Sequence, residues 1–89
     1  MAKKEIRNVT ERINESAVIT ANAQSIAFKN IGVADCSIND IPISPGDALL
    51  SFSNADIDAV DVSSYRIVFD NSSSLAQRQL LVIRTIKIS

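Results

Sequence analysis

The sequence predicts an all-β domain, either a small antiparallel sandwich or a jelly-roll-like fold, with an N-terminal arm. Three observations support this fold class. Short apolar runs recur at intervals of about 8–12 residues, turn-forming residues separate them, and no long helical pattern interrupts them. The stretch at 25–52, SIAFKNIGVADCSINDIPISPGDALLSF, shows this most clearly, because its apolar runs are too short for helices and rich in β-branched residues.

The composition describes one domain with a thin, mostly aliphatic core. The chain has 89 residues, of which 46% are hydrophobic but only 4% aromatic, and it contains no tryptophan. A domain of this size buries only about 60–65% of the surface that its unfolded chain exposes. Because a small domain with a thin core often needs another subunit to complete it, we expect a homo-oligomer.

Residues 1–14 are open to two interpretations. Ile6, Val9 and Ile13 have the i, i+3, i+7 spacing of a helical stripe, but they also suit an extended arm that pairs with a neighbour. We favour the arm, followed by a single β domain over residues 15–89. The alternative is that the segment is a helix or strand packed on its own domain. Basic residues concentrated in this segment would steer it toward an acidic surface. The residues expected to bind a neighbouring subunit are Lys3, Lys4, Ile6, Arg7, Val9, Arg12 and Ile13.

The first strands of the domain follow this segment. Residues 16–21 (SAVITA) are predicted to form one strand, and residues 25–30 alternate apolar and polar side chains with the period of a second. Gly32 is expected to turn the chain in a positive-φ conformation. The strand that follows is expected to point Cys36 and Ile38 toward the core.

The middle of the chain carries the strongest turn signals. Asn39 and Asp40 form a plausible two-residue hairpin loop, since both residue types tolerate the left-handed region. Pro42 cannot donate to a ladder, so its strand is predicted to lie at a sheet edge, or else its nitrogen lies on the unpaired side of the strand. The sequence SPGD at 44–47 has the proline and glycine of a type II turn, and residues 48–52 leave it as a strand.

The C-terminal half ends in the longest strand candidate. Residues 57–64 suit a loop or a short edge strand, residues 65–69 alternate as a clear strand, and residues 70–74 form a loop. Residues 79–88 begin apolar on both faces, which predicts a strand that is central in a sandwich or covered by a second subunit. We therefore expect association through this strand and its neighbours.

The sequence offers no catalytic constellation. There is no histidine, which is the commonest general base and metal ligand, and the two glycines cannot form a phosphate-binding loop. Cys36 is the only cysteine and is interpreted as a small buried hydrophobe. We expect no enzyme activity, no catalytic or metal-binding residue and no cofactor.

Asp56, Asp58 and Asp61 come closest to a metal cluster. Alternating aspartates suit Ca²⁺, but the spacing, glycine and closing glutamate of an EF-hand are all missing. A solvated acidic loop is the favoured interpretation.

Two classes of partner are not expected. The net charge is −1, and basic residues are not interleaved with aromatic ones, so nucleic-acid binding is not predicted. No apolar stretch approaches the ~20 residues that a membrane span requires, and no apolar segment follows the basic start as in a signal peptide. We expect no membrane partner.

The run at 28–52, FKNIGVADCSINDIPISPGDALLSF, resembles small β proteins of tailed-bacteriophage particles. A phrase of the form T-N-x-G … V-x-V-N-G-x-x-L-x-P-G-x-x-x-x-F recurs in capsid decoration, auxiliary capsid and head-fibre modules. Asp40 stands where glycine is usual, which leaves the hairpin type open, and Ile43 replaces the usual leucine. The matching residues are Asn30, Gly32, Asn39, Pro45, Gly46 and Phe52.

The resemblance implies a structural role and carries over no functional residues. The expected function is therefore that of a non-enzymatic auxiliary or decoration protein of a bacteriophage particle. Its implied partner is the major capsid protein or another virion protein, and its implied location is the virion, after assembly in the host cytoplasm. The alternative is a carbohydrate- or ligand-binding β module within a larger assembly.

Overall fold

The computed structural model describes residues 5–53 and 59–87, which form two four-stranded antiparallel sheets packed face to face. One sheet has the order β1-β8-β3-β6 and the other β2-β7-β4-β5. The strands are β1 (Ile6–Ile13), β2 (Ala17–Thr20), β3 (Ser25–Asn30), β4 (Cys36–Ile38), β5 (Ile41–Ile43), β6 (Leu50–Ser53), β7 (Ser64–Phe69) and β8 (Leu80–Lys87). A 3₁₀ turn, η1, spans Leu75–Gln77. The predicted all-β sandwich is confirmed.

Alternation along the strands explains why the two sheets pack together. In β3 every second residue is buried, and β7 repeats the pattern with Tyr65, Ile67 and Phe69. These side chains form the inner faces, which are turned toward the opposite sheet, while the intervening residues form the outer faces. The one-sided patterns predicted for residues 25–30 and 65–69 are confirmed.

Aromatic rings occupy the centre of the mostly aliphatic core. The ring of Phe28 lies 6.1 Å from Phe52 and 5.5 Å from Tyr65, measured between centroids. Phe52 and Tyr65 are 5.1 Å apart, which closes a three-ring cluster between the sheets. Around it pack residues contributed by both sheets, namely Ile26, Cys36, Ile38, Ile43, Ile67, Phe69, Leu80 and Val82.

Two of the predicted turns are confirmed. Asn39 (φ 49°) and Asp40 (φ 68°) both adopt left-handed conformations and join β4 to β5, as a two-residue hairpin of type I′ requires. Gly46 has φ 84°, and the turn is closed by a 3.1 Å hydrogen bond from Asp47 N to the Ser44 carbonyl. Asp40 thus accommodates the conformation for which glycine is the commoner residue.

Gly32 serves a different purpose from the one predicted, because the positive-φ residues do not include it. A Cβ atom at this position would lie 2.5 Å from the Gln77 carbonyl oxygen and 2.7 Å from Gln79 N. The glycine is therefore required by the close approach of two backbone segments.

Because their surroundings differ, alanine substitutions at the two glycines should change the free energy of unfolding by different amounts. Gly32→Ala drives a methyl group into backbone atoms, and we expect it to lower the free energy of unfolding by about 3 kcal/mol. Gly46→Ala meets no atom within 4 Å and carries only the left-handed penalty of about 1–2 kcal/mol. Urea denaturation measures both. Gly46→Asn should lose less stability than Gly46→Ala, because asparagine tolerates the left-handed region. A Gly32→Ala protein whose free energy of unfolding is close to that of the wild type would contradict the packing argument.

The structure corrects the interpretation of residues 1–14. Ile6–Ile13 form neither a helix nor an arm beside the domain, but the edge strand β1 of the first sheet. The strand pairs with β8 along its whole length, from Ile13 opposite Leu80 to Ile6 opposite Lys87. Strand structure therefore begins before Ser16, because β8 offers an edge that β1 can cover.

Strand β8 is central in its sheet, with β1 on one side and β3 on the other. Leu80 and Val82 have no solvent exposure, whereas Leu81 and Ile83 are half-buried on the outer face. The predicted central position is confirmed. Since both hydrogen-bonding edges of β8 are occupied, a partner can reach this strand only through its outer face.

The other edge strands are short. The strand that contains Pro42 lies at the edge of the second sheet, as predicted, and β2 lies at the opposite edge. In the described part of residues 57–64, Asp61 forms an isolated bridge with Ala23 and Ser64 begins β7. Ile57 lies outside the described residues.

Candidate functional site

The residues expected to bind a neighbour fall on two faces of β1. Residues directly opposite each other in an antiparallel pair share a face. Ile13 and Glu11 lie opposite the fully buried Leu80 and Val82, so they belong to the inner face. The inner-face residues of β1 are Arg7, Val9, Glu11 and Ile13, and the outer-face residues are Ile6, Asn8, Thr10 and Arg12.

Burial separates the predicted binding residues further. Ile13 is partly buried and packs against the protein's own core, whereas its role as an anchor for a neighbour stays a prediction. Val9 is half-buried, whereas Ile6 is 62% exposed. Arg7 and Arg12 are exposed. Lys3 and Lys4 lie outside the described residues.

An ion pair anchors β1 to the rest of the sandwich. Arg84 Nη1 lies 2.8 Å from Glu11 Oε1, and the arginine side chain is only 17% exposed. Arg84 Nη2 also donates to the Thr20 carbonyl of the second sheet, at 3.3 Å. Sequence reasoning missed this pair because 73 positions separate the two residues. The signal that could have found it is the opposite charge on two strand-like segments.

The direction of backbone groups along β1 follows from the bonds of its neighbour. In an antiparallel strand, each residue turns its N–H and C=O to one side, and the side alternates. The carbonyls of Gln79 and Thr85 accept hydrogen bonds from Ile31 N (3.1 Å) and Gln24 N (2.9 Å), next to β3. Odd-numbered residues of β8 therefore bond toward β3 and even-numbered ones toward β1.

The even-numbered residues of β8 lie opposite Arg7, Val9, Glu11 and Ile13. These four residues use their backbone groups to bond to β8. The remaining residues, Ile6, Asn8, Thr10 and Arg12, turn their backbone N–H and C=O groups away from the sheet. We call this side of the strand the β1 edge. No strand within residues 5–53 and 59–87 pairs with this edge, which is eight residues long.

A groove lies beside the C-terminal end of β1. It has a volume of about 520 Å³ and is lined by Arg12, Ile13, Asn14, Leu75, Ala76, Arg78 and Gln79. Arg78 is held in place, because its Nε donates to Ser73 Oγ and its Nη2 to the Ser73 carbonyl, both at 2.8 Å. With two guanidinium groups on its lining, the groove could accept a small anion.

Asp61 and Tyr65 form a polar contact beside the aromatic cluster. The Tyr65 hydroxyl donates to Asp61 Oδ2, while Asp61 Oδ1 accepts from Ser63 N at 2.8 Å. These hydrogen bonds hold the pKa of Asp61 below its ordinary value. Burial, and then the bond to Asp61, raise the pKa of Tyr65 to about 12. Asp61 is thus committed to a structural contact, while Asp56 and Asp58 lie outside the described residues.

Tyr65→Phe tests this contact through pH. The lowered pKa of Asp61 gives stability that is present above its unfolded pKa and is lost as the pH falls through its folded pKa. The raised pKa of Tyr65 gives stability that is present below 10.0 and is lost as the pH rises toward about 12. We expect the variant to be less stable than the wild type by a constant amount between about pH 5 and pH 9, with the difference shrinking at both extremes. The midpoints of urea denaturation measure this difference in stability at each pH. A difference that stays the same at all pH values would contradict a hydrogen bond between Tyr65 and Asp61.

Cys36 has the environment of a packing residue. It is 5% exposed, and burial followed by the charge of Asp35 raises the pKa of its thiol to about 11. The interpretation as a small buried hydrophobe is confirmed. In the ranges 5–53 and 59–87, no three His, Cys, Asp or Glu side chains are grouped so that they could hold a metal ion.

No helix among the described residues has the length and apolar character needed to cross a membrane. Comparison of the chain with protein-family models, with curated proteins and with solved structures finds no match. Function is therefore inferred from this chain's own geometry, in which the β1 edge and the adjoining groove are the candidate binding features.

Proposed function

We propose that this chain is a non-enzymatic structural protein of a bacteriophage particle. In this role it is an auxiliary or decoration protein that binds the major capsid protein or another virion protein. It is assembled in the host cytoplasm and located in the virion. The observation that carries the proposal is that residues shared with phage β modules hold turns and strands of this chain together through hydrogen bonds.

Asn30 is the clearest example of that use. It is 2% exposed, and its Nδ2 donates to the carbonyls of Ala34 (2.8 Å) and Ile43 (3.1 Å). Its Oδ1 accepts from Gly32 N at 3.0 Å. One side chain thereby joins the end of β3, the loop that follows it and strand β5 of the opposite sheet.

Asn39 has a comparable role at the next turn. Its backbone N donates to the Arg66 carbonyl at 2.9 Å, and its Oδ1 accepts from Arg66 N at 2.8 Å. The side chain continues the β4–β7 ladder past the end of β4. Two of the residues on which the resemblance rests, Asn30 and Asn39, thus have specific structural roles in this chain, and these roles support the proposal.

Purified particles provide the test. Particles of the virus that encodes the chain are isolated on a density gradient, and their proteins are quantified by mass spectrometry. We expect the chain at a fixed ratio to the major capsid protein, and saturable rebinding of the recombinant chain to particles from which it has been stripped. Absence of the chain from particles that contain the other structural proteins would reject the proposal.

The groove favours a second candidate function, the binding of a small ligand within a larger assembly. Its guanidinium groups suit a carboxylate, for which citrate is a usable probe. Titration of the ¹⁵N-labelled protein should shift the amide signals of Asn14 and Gln79, and Arg12→Gln should weaken the binding. Unchanged spectra at millimolar citrate would reject this candidate without bearing on the virion role.

A further inference from the structure

We propose that two copies of this chain pair through their β1 edges, in antiparallel orientation, with the two-fold axis at Val9. The pairing joins the first sheets of the two copies into one eight-stranded sheet. The inference deepens the proposed assembly role and rests on it, because it names a second copy as the partner of β1.

The lengths of the edge strands single out β1. The other edge strands, β2, β5 and β6, contain 4, 3 and 4 residues, and β5 also carries Pro42. Short strands and edge prolines are the usual protection against pairing with another chain. β1 has eight residues and no proline, so its edge is the longest template for strand addition in the described sheets.

Backbone direction restricts how two β1 edges can pair. Only Ile6, Asn8, Thr10 and Arg12 turn their N–H and C=O groups outward, so these residues must face one another across the new ladder. With the axis at Val9, Asn8 faces Thr10 of the second copy and Ile6 faces Arg12. The two Val9 residues then form a non-hydrogen-bonded pair, in which side chains approach most closely.

Charge selects this register over its neighbours. With the axis at Val9, Arg7 lies opposite Glu11 of the second copy, and the same pair recurs on the other side of the axis. If the axis lay at Asn8 instead, Glu5 would face Glu11 of the second copy, and the two carboxylates would repel each other. If it lay at Thr10, Arg7 would face Ile13 and would lose its opposite charge. The charges therefore both attract a second copy and fix its position.

Glu11 is already positioned for this contact. Its Oε1 is held by Arg84 at 2.8 Å, so the carboxylate stands on the inner face of β1 in a fixed orientation. In the dimer each Glu11 lies between Arg84 of its own chain and Arg7 of the second copy. Val9, half-buried in one copy, becomes covered by its symmetry mate.

Cysteine cross-linking tests the register. In a non-hydrogen-bonded pair the Cα atoms lie about 4.5 Å apart, within disulfide range. Val9→Cys should therefore form a disulfide-linked dimer under mild oxidation. Ile6→Cys is the matched control, because its thiol is exposed but the two copies of residue 6 are far apart in this register. Equal cross-linking of both variants, or none at Val9→Cys, would overturn the proposed pairing.

Charge exchange tests the partner. In sedimentation velocity we expect the full chain to dimerise and Arg7→Glu and Glu11→Arg each to dimerise at least tenfold more weakly. An equimolar mixture of the two variants should recover dimers, because it restores both opposite-charge pairs. Circular dichroism confirms that each variant is folded. A monomeric wild type, or a mixture no better than the single variants, would overturn the inference even if the chain is found in virus particles.

Discussion

Phe28→Ala is expected to lower the free energy of unfolding by about 3–5 kcal/mol. Phe28 has no solvent exposure and contacts both other rings of the cluster between the sheets. Its removal deletes two aromatic contacts and leaves a cavity that the short strands around it cannot close without breaking pairing. Because a small domain has only about 5–15 kcal/mol of stability, this variant should be close to unfolding at room temperature.

Urea denaturation followed by circular dichroism at 25 °C measures this effect. Val68→Ala is the matched control, since Val68 is an outer-face residue of β7 with 41% exposure. The control should change stability by about 0.5 kcal/mol or less. Phe28→Leu keeps most of the volume and should lie between the two variants. A Phe28→Ala protein as stable as the control would show that the three-ring cluster does not hold the sheets together.

Asn30→Ala is expected to lower the free energy of unfolding by about 3 kcal/mol. The substitution removes three hydrogen bonds to backbone groups, each contributing about 1 kcal/mol, and a longer one from Nδ2 to Cys36 Sγ. It leaves the carbonyls of Ala34 and Ile43 without this donor. Asn8→Ala is the matched control, because Asn8 is exposed and accepts one bond, from Thr85 Oγ1 at 3.0 Å. The control should lose about 1 kcal/mol or less.

Asn30→Asp separates the hydrogen bonds of this side chain from its packing. The aspartate has the same size but turns an acceptor toward two carbonyl oxygens, so we expect it to be at least as destabilising as alanine at pH 7. Burial would raise the pKa of the new carboxyl above its unfolded value, so the deficit should shrink as the pH falls. An Asn30→Asp protein as stable as the wild type at pH 7 would contradict the donor role of Nδ2.

Local signals in the sequence were sufficient for much of the fold. The period-two alternation at residues 25–30 and 65–69 assigns side chains to a core face, because successive residues of a strand point to opposite sides. The hairpin at Asn39 and Asp40 and the turn at Gly46 follow from conformations that few residue types tolerate. The class of the fold, these two turns and the burial of Cys36 were therefore predictable.

Pairing between distant parts of the chain was not predictable in the same way. β1 looked like an arm because charged residues on its inner face hide the alternation of apolar and polar side chains. The place of Glu11 on that face is explained only by its ion pair with Arg84, 73 positions away. Gly32 was assigned to a turn, although the backbone at Gln77 and Gln79 is what excludes a side chain there. Backbone preferences act over a few residues, so the sequence shows them directly. Packing in three dimensions decides which distant segments meet. That choice determines the order of the strands, the close approach of backbone at Gly32 and the candidate site at the β1 edge.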